Sequence, residues 1–221
     1  MTGRVRALYA GWITLRDLVG GLLLGIALGA ILDAVMKDFP VVLRRAVASI
    51  AALTILAIAG ARWGRDMARY AGEQNERVGR TASIAFGSSV IIIGLTLSLI
   101  EPGLVARGAD VGYPIHVVYR FVFVLAVLVV AGISAFALGV GMRDVRLGVS
   151  LAMRAGLTAA LAFLVIDLVM DAIGWRVGAP NAARRATMLV VTALGAIGSA
   201  VAAGSVTGLT LRAARHVASK E

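Results

Sequence analysis

Cysteine is absent from the 221 residues. That excludes disulfides, thiolate metal sites, iron–sulfur clusters and thiol nucleophiles. Histidine is almost as scarce. With only His116 and His216, one chain cannot build a histidine-rich metal or haem site, and no metal or cofactor is expected. Charge is thin as well: Asp, Glu, Lys and Arg make up 15% of the chain, against about 25% in a soluble domain. Lysine is confined to Lys37 and Lys220, so nearly all the basic residues are arginine.

What is present is apolar. Hydrophobic residues make up 60% of the chain, and its mean hydropathy is +0.91. The fold class that follows is an all-α polytopic membrane protein, a single transmembrane domain over residues 1–221. The net charge of +10 does not imply a nucleic-acid partner, because the basic residues stand between hydrophobic stretches, as topology determinants do. Arginine in place of lysine, with abundant Ala, Gly and Val, fits a GC-rich bacterial genome. The expected location is therefore a bacterial cytoplasmic membrane.

A spanning helix needs about 20 mostly apolar residues. Six windows qualify, near 17–36, 43–63, 81–101, 115–141, 147–173 and 187–211. An even number of spans puts both termini on one side. Thirteen basic residues fall on the side of the termini: Arg4, Arg6, Arg16, Arg62, Arg65, Arg69, Arg77, Arg80, Arg143, Arg146, Arg212, Arg215 and Lys220. Eight fall on the other: Lys37, Arg44, Arg45, Arg107, Arg120, Arg176, Arg184 and Arg185. The bias places both termini in the cytoplasm. Trp12, Trp63, Trp175, Tyr113 and Tyr119 all fall at span ends, as an aromatic belt would.

Residues 4–15 carry Val5, Leu8, Tyr9 and Trp12 at helical spacing, which predicts a short interfacial helix on the cytoplasmic leaflet. The cytoplasmic connection 64–80 is the most polar part of the chain. It is expected to extend the second span and then turn near Gly79. It is either a solvated helix or a docking surface for a partner or anionic lipid. Met36-Lys37-Asp38 is echoed 106 positions later by Met142-Arg143-Asp144. A 3+3 inverted repeat, common in transporters, would account for the echo.

Gly21, Gly25 and Gly29 form a stripe on the first span, and Gly195 and Ser199 begin another on the sixth. Such stripes let helix backbones approach closely. With the small residues of the third span, they make spans one, three and six candidates for a packed centre. The run Phe121–Val130 is bulky and suits contact with lipid or a second subunit.

Acidic residues inside spans are rare and usually functional. Asp33, Glu101, Asp167 and Asp171 all gather toward the outer end, each near a helix C-terminus where the dipole disfavours negative charge. Arg44, Arg45, Arg120, Arg184 and Arg185 stand at the N-terminal ends of neighbouring spans, where positive charge is disfavoured. Each set would stabilise the other as a ring of ion pairs. The sharper reading makes the carboxylates a proton or cation site, Asp167 first because it lies deepest. Arg154 is the one basic residue well inside a span. It either snorkels to the interface or meets an anionic lipid or a carboxylate on another helix.

Catalytic signatures are missing. There is no His-Glu-x-x-His pattern, and Asp167-x-x-x-Asp171 has no upstream Asp-x-x-Asp-Gly stretch. The chain leans away from an enzyme. Two function classes lead: a small transporter or channel, proton- or cation-coupled through the outer carboxylates, and an accessory or assembly subunit of a membrane complex. Membrane lipids are the expected partners, with a homo-oligomer or a larger complex around the chain.

Overall fold

The computed structural model describes residues 3–72, 75–110, 115–173 and 182–218. Within these, the side chains of 3–4, 45, 95, 97–110, 115–119, 182–189 and 217–218 lie outside the described set. The described residues are helical, with short turns and no strand. The elements are α1 (Gly3–Thr14), a π-turn (Leu15–Val19), α2 (Gly20–Val35), α3 (Val41–Tyr70), α4 (Glu76–Asp110), α5 (Ile115–Gly141), α6 (Val145–Ala172) and α7 (Ala182–Ala218). Five stretches of described residues are long and apolar enough to cross a membrane: Val5–Val35, Val41–Tyr70, Arg120–Gly141, Val145–Ala172 and Val190–His216.

The N-terminal segment differs from the expected separate interfacial helix. α1 continues into α2 through the π-turn, where the Gly20 amide bonds back to Leu15 O. A π-turn adds one residue to a helical turn and re-phases the faces on either side. Before it, Ala10, Ile13 and Thr14 are buried. α1 packs on α7, while α2 packs on α3. The remaining neighbours are sequential: α3 on α4, α4 on α5, α5 on α6 and α6 on α7. The six rods therefore close into a ring.

Small residues make each seam. Gly60 and Gly64 face Ala82 across α3–α4, and Ser83 Oγ donates to Ala57 O at 2.7 Å. Gly156 faces Leu128 O across α5–α6. Ser199 Oγ donates to Ala159 O at 2.9 Å across α6–α7, and Gly195 makes room for the Phe163 ring. Gly204 and Gly208 admit Thr14 and Ala10 of α1. The glycine stripe of the first span does meet a neighbour, α3: a methyl at Gly21 would clash with Ala59, while at Gly25 and Gly29 it would make ordinary contact with the Ala52 and Ala48 carbonyls at 3.6 and 4.0 Å. The expected centre of spans one, three and six is corrected: α4 packs on α3 and α5, and small residues are spread around every seam rather than gathered in one.

The start of α1, the end of α3 and the last turns of α7 lie at one end. Tyr70 Oη donates to Arg6 O at 2.8 Å, and the Arg212 guanidinium lies 4.3 Å over the Tyr70 ring. α3 ends at Tyr70 and α4 begins at Glu76, so the chain does not turn near Gly79. Gly72 takes φ +81°, which glycine adopts without strain, and the Asn75 carboxamide oxygen accepts from Arg77 N. Gly79 lies inside α4, packed against Arg65 and Ala61. The buried core sits toward this end: Ala10, Met67, Val78, Leu138, Leu151 and Leu211 are each at most 1% exposed. Trp63 belongs to that core at 2% exposure, so it is not part of an aromatic belt. Trp175, Tyr113 and Tyr119 lie outside the described residues or side chains. The outside is apolar, with Leu24, Ile58, Ile84, Phe121 and Leu161 among many large exposed side chains.

A Cβ at Gly195 would stand 2.6 Å from two Phe163 ring carbons, whereas one at Gly94 meets nothing within 4 Å. Gly195→Val is expected to lower unfolding free energy by about 1–3 kcal/mol through overpacking. Gly94→Ala should be neutral or gain up to about 1 kcal/mol of helix propensity. Denaturant titration of the purified protein, followed by circular dichroism, measures both.

Candidate functional site

Three clusters of charge or polarity stand out, and the ring positions each. The first is on the end away from the termini. Arg120, in the second turn of α5, pairs with Asp167 and, at 3.1 Å, with Asp171 on α6. The two carboxylates are i,i+4 on one helix face, so a single forked guanidinium reaches both. The Arg120 and Asp167 side chains are 15% and 10% exposed. Phe123 and Phe163 stack just below them, with ring centroids 6.1 Å apart.

The other candidates are placed as follows. Asp33 pairs with Arg44 Nε at 2.6 Å across the α2–α3 turn, half exposed and away from the ring interior. Arg154 is exposed on α6. Glu101 lies on α4, Arg45 on α3, and Arg184 and Arg185 on α7, with side chains outside the described residues. Among the described residues no three His, Cys, Asp or Glu side chains gather to hold a metal ion.

The second cluster escapes a reading of the sequence. Asp17, in the π-turn, is only 4% exposed. Its carboxylate pairs with Arg16 at 2.7 Å and with Arg62 at 3.4 Å. Arg16 also bonds Asp66 on α3, and Arg69 stands 3.5 Å from Asp66. At the margin of an apolar window, Asp17 looks like a flanking residue. Its i,i+4 counterparts on α3, Arg62 and Asp66, are the signal that would have found it.

The third feature is a cavity of about 260 Å³ inside the ring, with walls from all six rods. Leu18, Leu22, Phe86, Val90, Ile93, Val127 and Val130 make most of it apolar. Thr14, Ser134, Ser199 and Thr207 also line it. Trp63 Nε1 donates to Thr14 Oγ1 at 2.9 Å, while Thr14 bonds Ala10 O. Ser134 is different: it is 1% exposed and its Oγ has no hydrogen-bond partner. A buried hydroxyl left without a partner costs about 1–3 kcal/mol. No protein-family model, curated protein or solved structure matches the chain.

Removing one partner of a mostly buried ion pair leaves a charge unpaired, at about 3–5 kcal/mol. Arg120→Gln is expected to be destabilising by that order, and Arg120→Gln/Asp167→Asn by clearly less than the single variant. The double-mutant cycle is read from unfolding free energies. Additive losses would show that the two groups do not interact.

Proposed function

We propose that the protein is a small membrane transporter or channel, and that the cavity enclosed by the ring is where its solute passes. The observation that carries this reading is the cavity itself, to which every rod contributes. Its size and chemistry narrow the solute. Cavities of about 150 Å³ hold a benzene-sized molecule, so about 260 Å³ takes one small, mainly apolar solute.

The spacing of the elements supports the inverted 3+3 repeat. α2 ends at Val35 and α5 at Gly141, 106 positions on; α4 begins at Glu76 and α7 at Ala182, again 106. Neighbour relations repeat in the same order, with α2–α3 and α3–α4 matched by α5–α6 and α6–α7. In that frame the solute lies between two halves that can rock against each other.

Asp167 and Asp171 are the coupling candidates. Arg120 is six residues from Ala126, and Asp167 eight from Ala159, so the trio stands about 9–12 Å beyond the cavity wall. The arginine count supports termini in the cytoplasm, which would set the trio near the outer face of a bacterial cytoplasmic membrane.

Stopped-flow light scattering of proteoliposomes under gradients of small neutral solutes tests the reading without a labelled substrate. The wild type should speed re-swelling for at least one solute over protein-free vesicles. Ala200→Phe, which fills the cavity, should slow it at least tenfold while the helical signal is kept. Folded protein with no effect on any solute would overturn the transport reading. A stoichiometric partner in the native mass would then point to an accessory subunit.

A further inference from the structure

A groove runs along the outside of the ring between α2 and α3, separate from the central cavity. It encloses about 510 Å³. At its end nearer the termini stand Arg16, Asp17 and Arg62; beyond them the walls are Gly21, Leu24, Leu28, Ile31, Ile55 and Ile58. We propose that this groove holds an anionic membrane phospholipid, its phosphate on Arg62 and Arg16 and one acyl chain along the apolar walls.

Three independent features select this occupant. The first is length. From Gly20 to Ile31 the groove follows α2 for about 16 Å. One leaflet of a hydrocarbon core of about 30 Å measures about 15 Å. The second is depth. On α3, Arg44 and Arg62 are separated by about 27 Å of helix, close to the thickness of that core. Arg62 therefore stands at the level of the phosphates. The third is charge. Arg16, Arg62 and Arg69 share two carboxylates, Asp17 and Asp66, which leaves the cluster one positive charge in excess.

The excess is directed outward. Asp17 is buried and holds Arg16; Arg62 meets it only at 3.4 Å and keeps 60% of its side chain exposed. Asp17 thus fixes the base of the site and leaves the Arg62 guanidinium edge available to an anion. The glycines matter too. Gly21 lies hard against Ala59 of α3, and Gly25 and Gly29 keep α2 within van der Waals reach of Ala52 and Ala48, so the groove has a closed floor along its length.

The test uses the full chain in detergent, with dioleoyl phosphatidylglycerol or dioleoyl phosphatidylcholine added, read by native mass spectrometry and thermal shift. The wild type should retain phosphatidylglycerol at least fivefold over phosphatidylcholine and melt higher in its presence. Arg62→Gln should lose most of that preference. Ala27→Trp, exposed in the apolar part of the groove, should lose both bound lipid and the thermal gain while circular dichroism is unchanged. Inorganic phosphate at millimolar concentration should neither compete nor stabilise. Equal retention of the two lipids, no effect of Arg62→Gln, or full protection by inorganic phosphate alone would each overturn the proposal. None of these readouts depends on solute flux, so this site and the transport reading stand or fall separately.

Discussion

Close approach of helix backbones along seams of glycine, alanine and serine is the interaction on which the rest of this bundle depends. Inside a membrane, burial of apolar surface gives helices no reason to prefer one another to lipid. Van der Waals packing and a few interhelical hydrogen bonds must do that work. The chain supplies both: Gly60 and Gly64 with Ala82, Gly195 with Phe163, Gly204 and Gly208 with α1, and the serine bonds Ser83–Ala57 and Ser199–Ala159. Because the seams are distributed around the circle, the six rods close on a solid core toward one end and on a space beyond it. The cavity is a consequence of that distribution, and its walls are what lies between the seams.

The charges are arranged around the same plan. Asp167 and Asp171 near the C-terminus of α6, and Arg120 near the N-terminus of α5, each oppose the local helix dipole. Paired, they cancel one another and pin two neighbouring rods at the end where the described core is thinner. Asp17, Arg16, Arg62 and Asp66 link α3 to the π-turn at the other level. Neither cluster contributes to the cavity wall, which is almost wholly apolar.

Much of the fold was legible because apolar run length is a direct signal. The helix ends at Val35 and Gly141 follow from Met36-Lys37-Asp38 and Met142-Arg143-Asp144, the latter closed by Asp144 accepting from Leu147 N at 2.8 Å. That carboxylates and arginines should seek one another was legible in the dipole mismatch; the partner of Asp167 was not, since helix adjacency is a tertiary fact. Trp63 shows the same limit. Its position at a span end fits a belt residue, yet α3 continues past it to Tyr70, so Trp63 is left in the core beside Thr14. The turn moved to Gly72 because Gly79 is needed for close packing of α4 on α3. The π-turn leaves no mark in periodicity, since its extra residue looks like a slip in the pattern. That slip hid Asp17 and the packing of α1.

Closure of the ring by α1 on α7 is the central claim, and the absence of native cysteine makes it open to site-directed labelling. Spin labels on cysteines placed at Leu8 of α1 and Leu209 of α7, both exposed, report it by pulsed electron paramagnetic resonance in lipid nanodiscs. Packed helices sit about 8–10 Å apart axis to axis, so a narrow distribution centred below about 20 Å is expected. A broad distribution reaching well beyond that distance would place α1 away from α7, flat on the membrane surface, and the ring and its cavity would not exist as described.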